Sequence, residues 1–182
     1  TQALRLKLQA SRLQRRPLQA LSTARLLAKH QGFTPLAARG LLRSLAAESI
    51  DEAYDLQQLQ RLWEQFDAAD RRDAAVAARA ARRAVQLGAA AAGREWLRPF
   101  WEHPGELDRD DRDAVALALL EAVPGIEAEW LPRLEAALEA HAMEAPVAAA
   151  DGIAYADRQL WGKAKGLLEQ SAAAADLPRS EE

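Results

Sequence analysis

The sequence predicts an all-α fold of about ten helices paired as antiparallel hairpins. Three observations predict it. Ala, Leu, Arg, Glu and Gln dominate, and all are strong helix formers; aromatic residues make up only 5% and Val and Ile are scarce. Apolar residues recur at helical spacing over most of the chain. Turn residues interrupt that pattern at intervals close to the length of one helical hairpin.

The first helix is predicted over about 2–14. Pro17 opens the second, at a position where a missing N–H costs nothing, and Gly32 ends it. Thr34 and Pro35 form a cap and first position for a third, to about 48. A break at 49–51 follows, with Asp51 capping a fourth helix that carries Leu56, Leu59, Trp63 and Phe66 on one face. A fifth is predicted over about 70–87, stopped by Gly88, and a sixth over about 90–101, stopped by His103-Pro104-Gly105. The acidic run 108–113 loads negative charge onto the start of a seventh, which Pro124-Gly125 ends. The eighth carries Trp130, Leu134, Leu138 and His141, with Pro132 implying a late start or a kink. The ninth covers about 146–157 and the tenth about 161–175.

Odd-numbered helices therefore begin roughly 32 to 39 residues apart, the rhythm of a two-helix repeat. The hairpins expected are 2–31, 34–67, 70–102, 108–142 and 145–176, forming one domain over 1–182. In the last of them Gly152, Tyr155, Ala164 and Leu168 fall at the spacings of the tetratricopeptide pattern, with Ser171 at the next small position. Small residues at a helix crossing let the backbones approach, and large ones fill the grooves beside them. Asp151 departs from the pattern, standing where an apolar residue is usual. The fold expected is a tetratricopeptide-like right-handed α-solenoid, with a HEAT-like array as its rival.

The stretch Leu160-Trp161-Gly162-Lys163-Ala164-Lys165, continuing Gly166-Leu167-Leu168-Glu169-Gln170-Ser171, resembles a signature of the bacterial HemY-like proteins, with Lys165 in place of an Arg. Leu62-Trp63-Glu64 and Gly93-Arg94-Glu95-Trp96-Leu97 are similar to the same family's middle region. The resemblance implies a parent protein held in the bacterial inner membrane by N-terminal helices, with a soluble tetratricopeptide-like domain. The cytoplasmic side is favoured for that domain. It further implies a link to a late step of protoheme IX biosynthesis through protein partners, the biosynthetic enzymes, with no catalysis and no cofactor of its own. The chain begins Thr1-Gln2-Ala3-Leu4 without Met and reads as part of a longer protein.

Function classes can be excluded from composition. There is no cysteine, so thiolate metal sites, iron–sulfur clusters and cysteine nucleophiles are ruled out. A net charge of −3 lacks the basic excess of a nucleic-acid protein. No apolar run approaches the roughly 20 residues that span a bilayer. His30, His103 and His141 sit at helix ends or in a loop, and haem ligation is not expected of them. Trp96, Phe100 and Trp101 read as packing, as does Trp161 at the last hairpin's elbow, with Ala164 at the crossing. Run 108–113 lacks the glycine and bidentate Glu of a calcium loop. The best candidate for a partner surface is Arg72, Arg79 and Arg83, predicted on one face of the fifth helix and suited to carboxylates, including porphyrin propionates. A scaffold is thus expected first, direct porphyrin or haem binding second, a generic helical adaptor third, and an enzyme last.

Overall fold

A computed structural model of the chain describes residues 2–176. Among them it is all-α, with no strand. Eleven α-helices follow one another: α1 Gln2–Leu13, α2 Pro17–Lys29, α3 Pro35–Glu52, α4 Leu56–Gln65, α5 Ala68–Arg71, α6 Ala74–Gln86, α7 Ala90–Glu102, α8 Arg109–Glu121, α9 Leu131–His141, α10 Ala145–Asp157 and α11 Trp161–Ala175. Short 3-10 turns precede α8 at Pro104–Glu106 and α9 at Ala128–Trp130. The chain divides into two compact units between Val76 and Ala77, within α6.

Helix starts follow capping chemistry. Thr34 accepts from the Ala37 N–H, Asp108 from the Asp111 N–H at 2.8 Å, and proline occupies the first turn of α2, α3, α9 and α10. The eighth predicted helix makes the late start that Pro132 allowed. Helix ends share a device the sequence barely signals. At Arg15, Gln31, Gly88 and Gln159 the backbone is left-handed, and the next residue's N–H bonds the carbonyl five residues back. This closes α1, α2, α6 and α10 with one repeated turn, and only Gly88 has the residue type that marks it.

Two predicted boundaries are corrected. Asp51 does not cap α4, because α3 runs through Ser49 to Glu52, the Ser49 hydroxyl donating to the Leu45 carbonyl. Asp55 is the cap: its Oδ1 accepts from the Gln58 N–H at 2.7 Å, while Gln58 Oε1 accepts from the Tyr54 N–H at 2.9 Å. The predicted fifth helix is two. Asp73 Oδ1 accepts from the Ala75 and Val76 N–H groups and begins α6 anew, so Arg72 ends α5 and is not on the helix of Arg79 and Arg83.

In the first unit α2 packs against α1 and α3, and α3 against α4 and α5. Its core gathers Leu21, Leu27, Leu45, Ile50, Leu59 and Phe66. Arg25 pairs with Asp70, and Arg43 with Asp73 at 2.9 Å, tying α2 and α3 to the α5 region. Burial raises the Asp70 carboxyl above its ordinary range, against the pull of Arg25.

In the second unit α10 packs against α8, α9 and α11, and α7 against α8 and α9. Alanines line close crossings, and Leu97, Leu119, Trp130, Leu134 and Tyr155 fill the remaining core. A Cβ on Gly93 would lie 2.9 Å from the Ala81 carbonyl oxygen, so α7 and α6 touch backbone to backbone. In the last hairpin Gly152 lies against Leu168, Ala164 is buried and the Ser171 hydroxyl donates to the Ala145 carbonyl. Trp161 does not pack as expected. It is the first residue of α11, a turn ahead of the crossing at Ala164, and stands 66% exposed.

Candidate functional site

The best-formed concavity in the first unit lies between α2 and α4, over the end of α3, with a volume of about 810 Å³. Three local features build it. The left-handed Arg15 turns the chain so that Arg16 precedes α2 and Pro17 opens it, leaving both arginine side chains exposed. The Asp55–Gln58 capping pair stops the chain between α3 and α4 and presents Tyr54, 74% exposed, at the rim. Along α4, Gln58, Arg61, Leu62 and Gln65 recur at the 3, 1, 3 spacing of one helix face, and all four line the groove. Pro17, Leu18, Gln19 and Ser22 line it from α2.

The charge is unbalanced. Arg15, Arg16 and Arg61 line the groove against the single acid Glu52, with Glu48 and Asp51 in the adjoining concavity beside Arg15 and Arg16, and none of the three arginines is in an ion pair among the described residues. Arg61 Nε makes one long bond to the Gln57 carbonyl, at 3.4 Å. The start of α2 adds to this field, because Arg16 supplies no side-chain cap. Ser22 and Ser49 give their hydroxyl protons to the carbonyls of Gln19 and Leu45, and no histidine lines the groove. The lining thus offers guanidinium groups, side-chain amides, an exposed aromatic ring and apolar surface from Leu18 and Leu62.

The predicted arginine surface does not lie on one helix. Arg72 is exposed at the end of α5 in the first unit, whereas Arg79 and Arg83 belong to α6 in the second. Arg83 Nη1 donates to Gln86 Oε1 at 2.9 Å, and Arg79 also has a partner. Phe100 and Trp101 are buried and Trp96 is half-buried, so that cluster is packing. His30 and His103 end α2 and α7, and His141 Nδ1 lies 3.3 Å from Glu144. No cluster of metal-ligating side chains occurs among the described residues.

Sequence reasoning missed Arg15, Arg16, Tyr54 and Arg61. The run Arg15-Arg16-Pro17 and the Asp55-x-x-Gln58 cap were the available signals, and neither says which arginines lack partners. Among the described residues no helix is long and apolar enough to cross a membrane. No protein-family model matches the chain, and neither a curated protein nor a solved structure matches it, so the HemY-like resemblance rests on the 160–171 motif and its companions alone.

Proposed function

We propose that the chain is a non-enzymatic helical-repeat scaffold whose first unit receives a segment of a protein partner. The observation that carries this is the groove between α2 and α4, with three unpaired arginines and an exposed tyrosine at its rim. Stacking of the hairpins as a tetratricopeptide-like solenoid is the arrangement we assign to it, supported by the small-residue crossing of α10 and α11. The 160–171 motif supports a place in a late step of protoheme IX biosynthesis, in a protein anchored at the bacterial inner membrane. The partners are then haem-biosynthetic enzymes.

A photo-crosslinking residue at Tyr54, in the parent protein in its own membrane, tests this reading. A discrete protein adduct at position 54, absent when the probe is moved to Arg72, is expected. Failure to capture any discrete protein at position 54 sinks the scaffold reading for this groove.

A second reading, direct porphyrin binding, draws on the same guanidinium groups beside Leu18 and Leu62. The groove offers no imidazole, so any tetrapyrrole would be held by its propionates. Titration of the chain with protoporphyrin, followed at the Soret band, decides it: a saturable shift lost on replacing Arg16 and Arg61 by Glu favours this reading.

A further inference from the structure

Resting on the scaffold reading, we infer that the occupant of the first unit's groove is an extended acidic peptide: a partner segment with at least two carboxylates around one apolar side chain. Charge is the first reason. The chain as a whole carries −3, yet this groove places Arg15 and Arg16 on one wall and Arg61 on the other. Elsewhere in the unit Arg25 and Arg43 are neutralised by Asp70 and Asp73. Positive charge left unmatched inside an acidic protein selects carboxylates locally and repels a nucleic acid from most of the remaining surface.

The second reason is the distribution of neutral polar groups. Gln19 on α2 and Gln65 on α4 both line the groove, and among the described residues neither side-chain amide has a hydrogen-bond partner. Each presents a donor and an acceptor, which is what an extended backbone needs and a compact anion does not. Leu18 and Leu62 line the same groove and offer apolar surface to one side chain, and the exposed Tyr54 ring lies among the lining residues. The guanidinium groups are preorganised for carboxylates by their planar forks.

The experiment is fluorescence anisotropy with a fluorescein-labelled Glu-Glu-Leu-Asp-Asp peptide, its Gln-Gln-Leu-Asn-Asn counterpart, and the whole chain. Saturable binding of the acidic peptide alone is expected. Raising salt from about 50 to about 300 mM should weaken it, and Arg16→Glu with Arg61→Glu should weaken it about tenfold or more. Neither arginine supports the core, so circular dichroism should show the double variant folded, and Arg72→Glu should bind as the unaltered chain does. No saturable binding of the acidic peptide, or equal binding by the folded double variant, overturns the inference. So does protoporphyrin binding in an arginine-dependent way while the peptide does not bind. A protein crosslinked through position 54 without acidic-peptide binding would overturn this inference and leave the scaffold reading standing.

Discussion

Arginine serves two opposite ends, most clearly seen by setting the second unit's buried arginines beside those of the first unit's groove. In the second unit three buried or half-buried arginines are structural. Arg94 is 3% exposed and donates to the carbonyls of Ala122, Pro124 and Gly125 and to both oxygens of Glu127, fastening the loop between α8 and α9 to α7. Arg112 binds Glu144 through two nitrogens and reaches the Leu107 carbonyl, and Arg133 binds Glu102. In the first unit Arg25 and Arg43 behave likewise, but Arg15, Arg16 and Arg61 surround an open groove without an acidic partner. What separates a staple from a recognition group is therefore its partner and its burial, not its residue type.

The largest effect that would test the second unit's reliance on buried polar groups concerns Asp151. It is fully buried on α10, neither oxygen has a partner, and burial pushes its carboxyl from 3.8 up to about 8. Between those values the folded chain holds a proton that the unfolded chain has released. The stability this group contributes should be fully present below about pH 4, fall as pH rises toward 8, and level off above it, a total loss of roughly 6 kcal/mol. Tyr155 is itself pushed to about 12, chiefly by burial, and stays protonated throughout this window. Urea unfolding at pH 5 and pH 8.5 should show the decline, and Asp151→Asn should flatten it. An equal decline in the variant would mean that another group titrates.

Arg94→Ala comes next. It leaves Glu127 and three backbone carbonyls without their donor, which should cost about 3–5 kcal/mol. Lysine should not rescue it, because one ammonium cannot cover a fork that meets four groups. The Glu127 carboxyl, held below its usual range first by the hydrogen bond from Arg94, should rise in either variant. A thermal melt within a degree of the unaltered chain would show that α7 is not fastened through Arg94.

Much of this was legible in sequence where chemistry is local. Thr34-Pro35 and Asp108 announced their helices, and Gly152, Ala164 and Leu168 announced the last crossing. Asp51 misled because two aspartates precede the same leucine-rich face, and only the glutamine three residues after Asp55 decides between them. Asp73 was hidden because the alanine and arginine pattern continues across it. Several ion pairs join neighbouring elements that no apolar periodicity announced: Arg43–Asp73, Arg94–Glu127, Arg112–Glu144, Arg133–Glu102 and Lys163–Glu135 are separated by 30, 33, 32, 31 and 28 residues, and Arg25–Asp70 by 45. The groove was not legible, since it joins an elbow, a helix end and a third helix. Its defining property is the absence of partners, which a sequence cannot display.

Close helix crossings give a smaller effect, with different costs in two hairpins. Gly93→Ala drives a methyl against the backbone of Ala81, which cannot move aside, and should cost about 1–3 kcal/mol. Gly152→Ala meets Leu168 at 3.0 Å through a side chain that has other rotamers, and the fixed Leu167 Cβ only at 3.3 Å, so its cost should be smaller. Chemical denaturation of both variants ranks them. A reversed order would mean that the α10–α11 crossing is the more rigid one.

The smallest expected effect is the most telling for the groove. Arg16→Ala and Arg61→Ala remove exposed side chains with no ion pair, so each should change stability by less than about 0.5 kcal/mol. Set beside Arg94→Ala, the contrast would be several-fold for the same chemical change in one chain. A residue that a fold does not need, held unpaired beside an exposed tyrosine and two unpartnered amides, is available for recognition. If Arg16→Ala or Arg61→Ala instead lowered the melting temperature as Arg94→Ala does, these arginines would be staples too, and the groove would lose the charge that marks it.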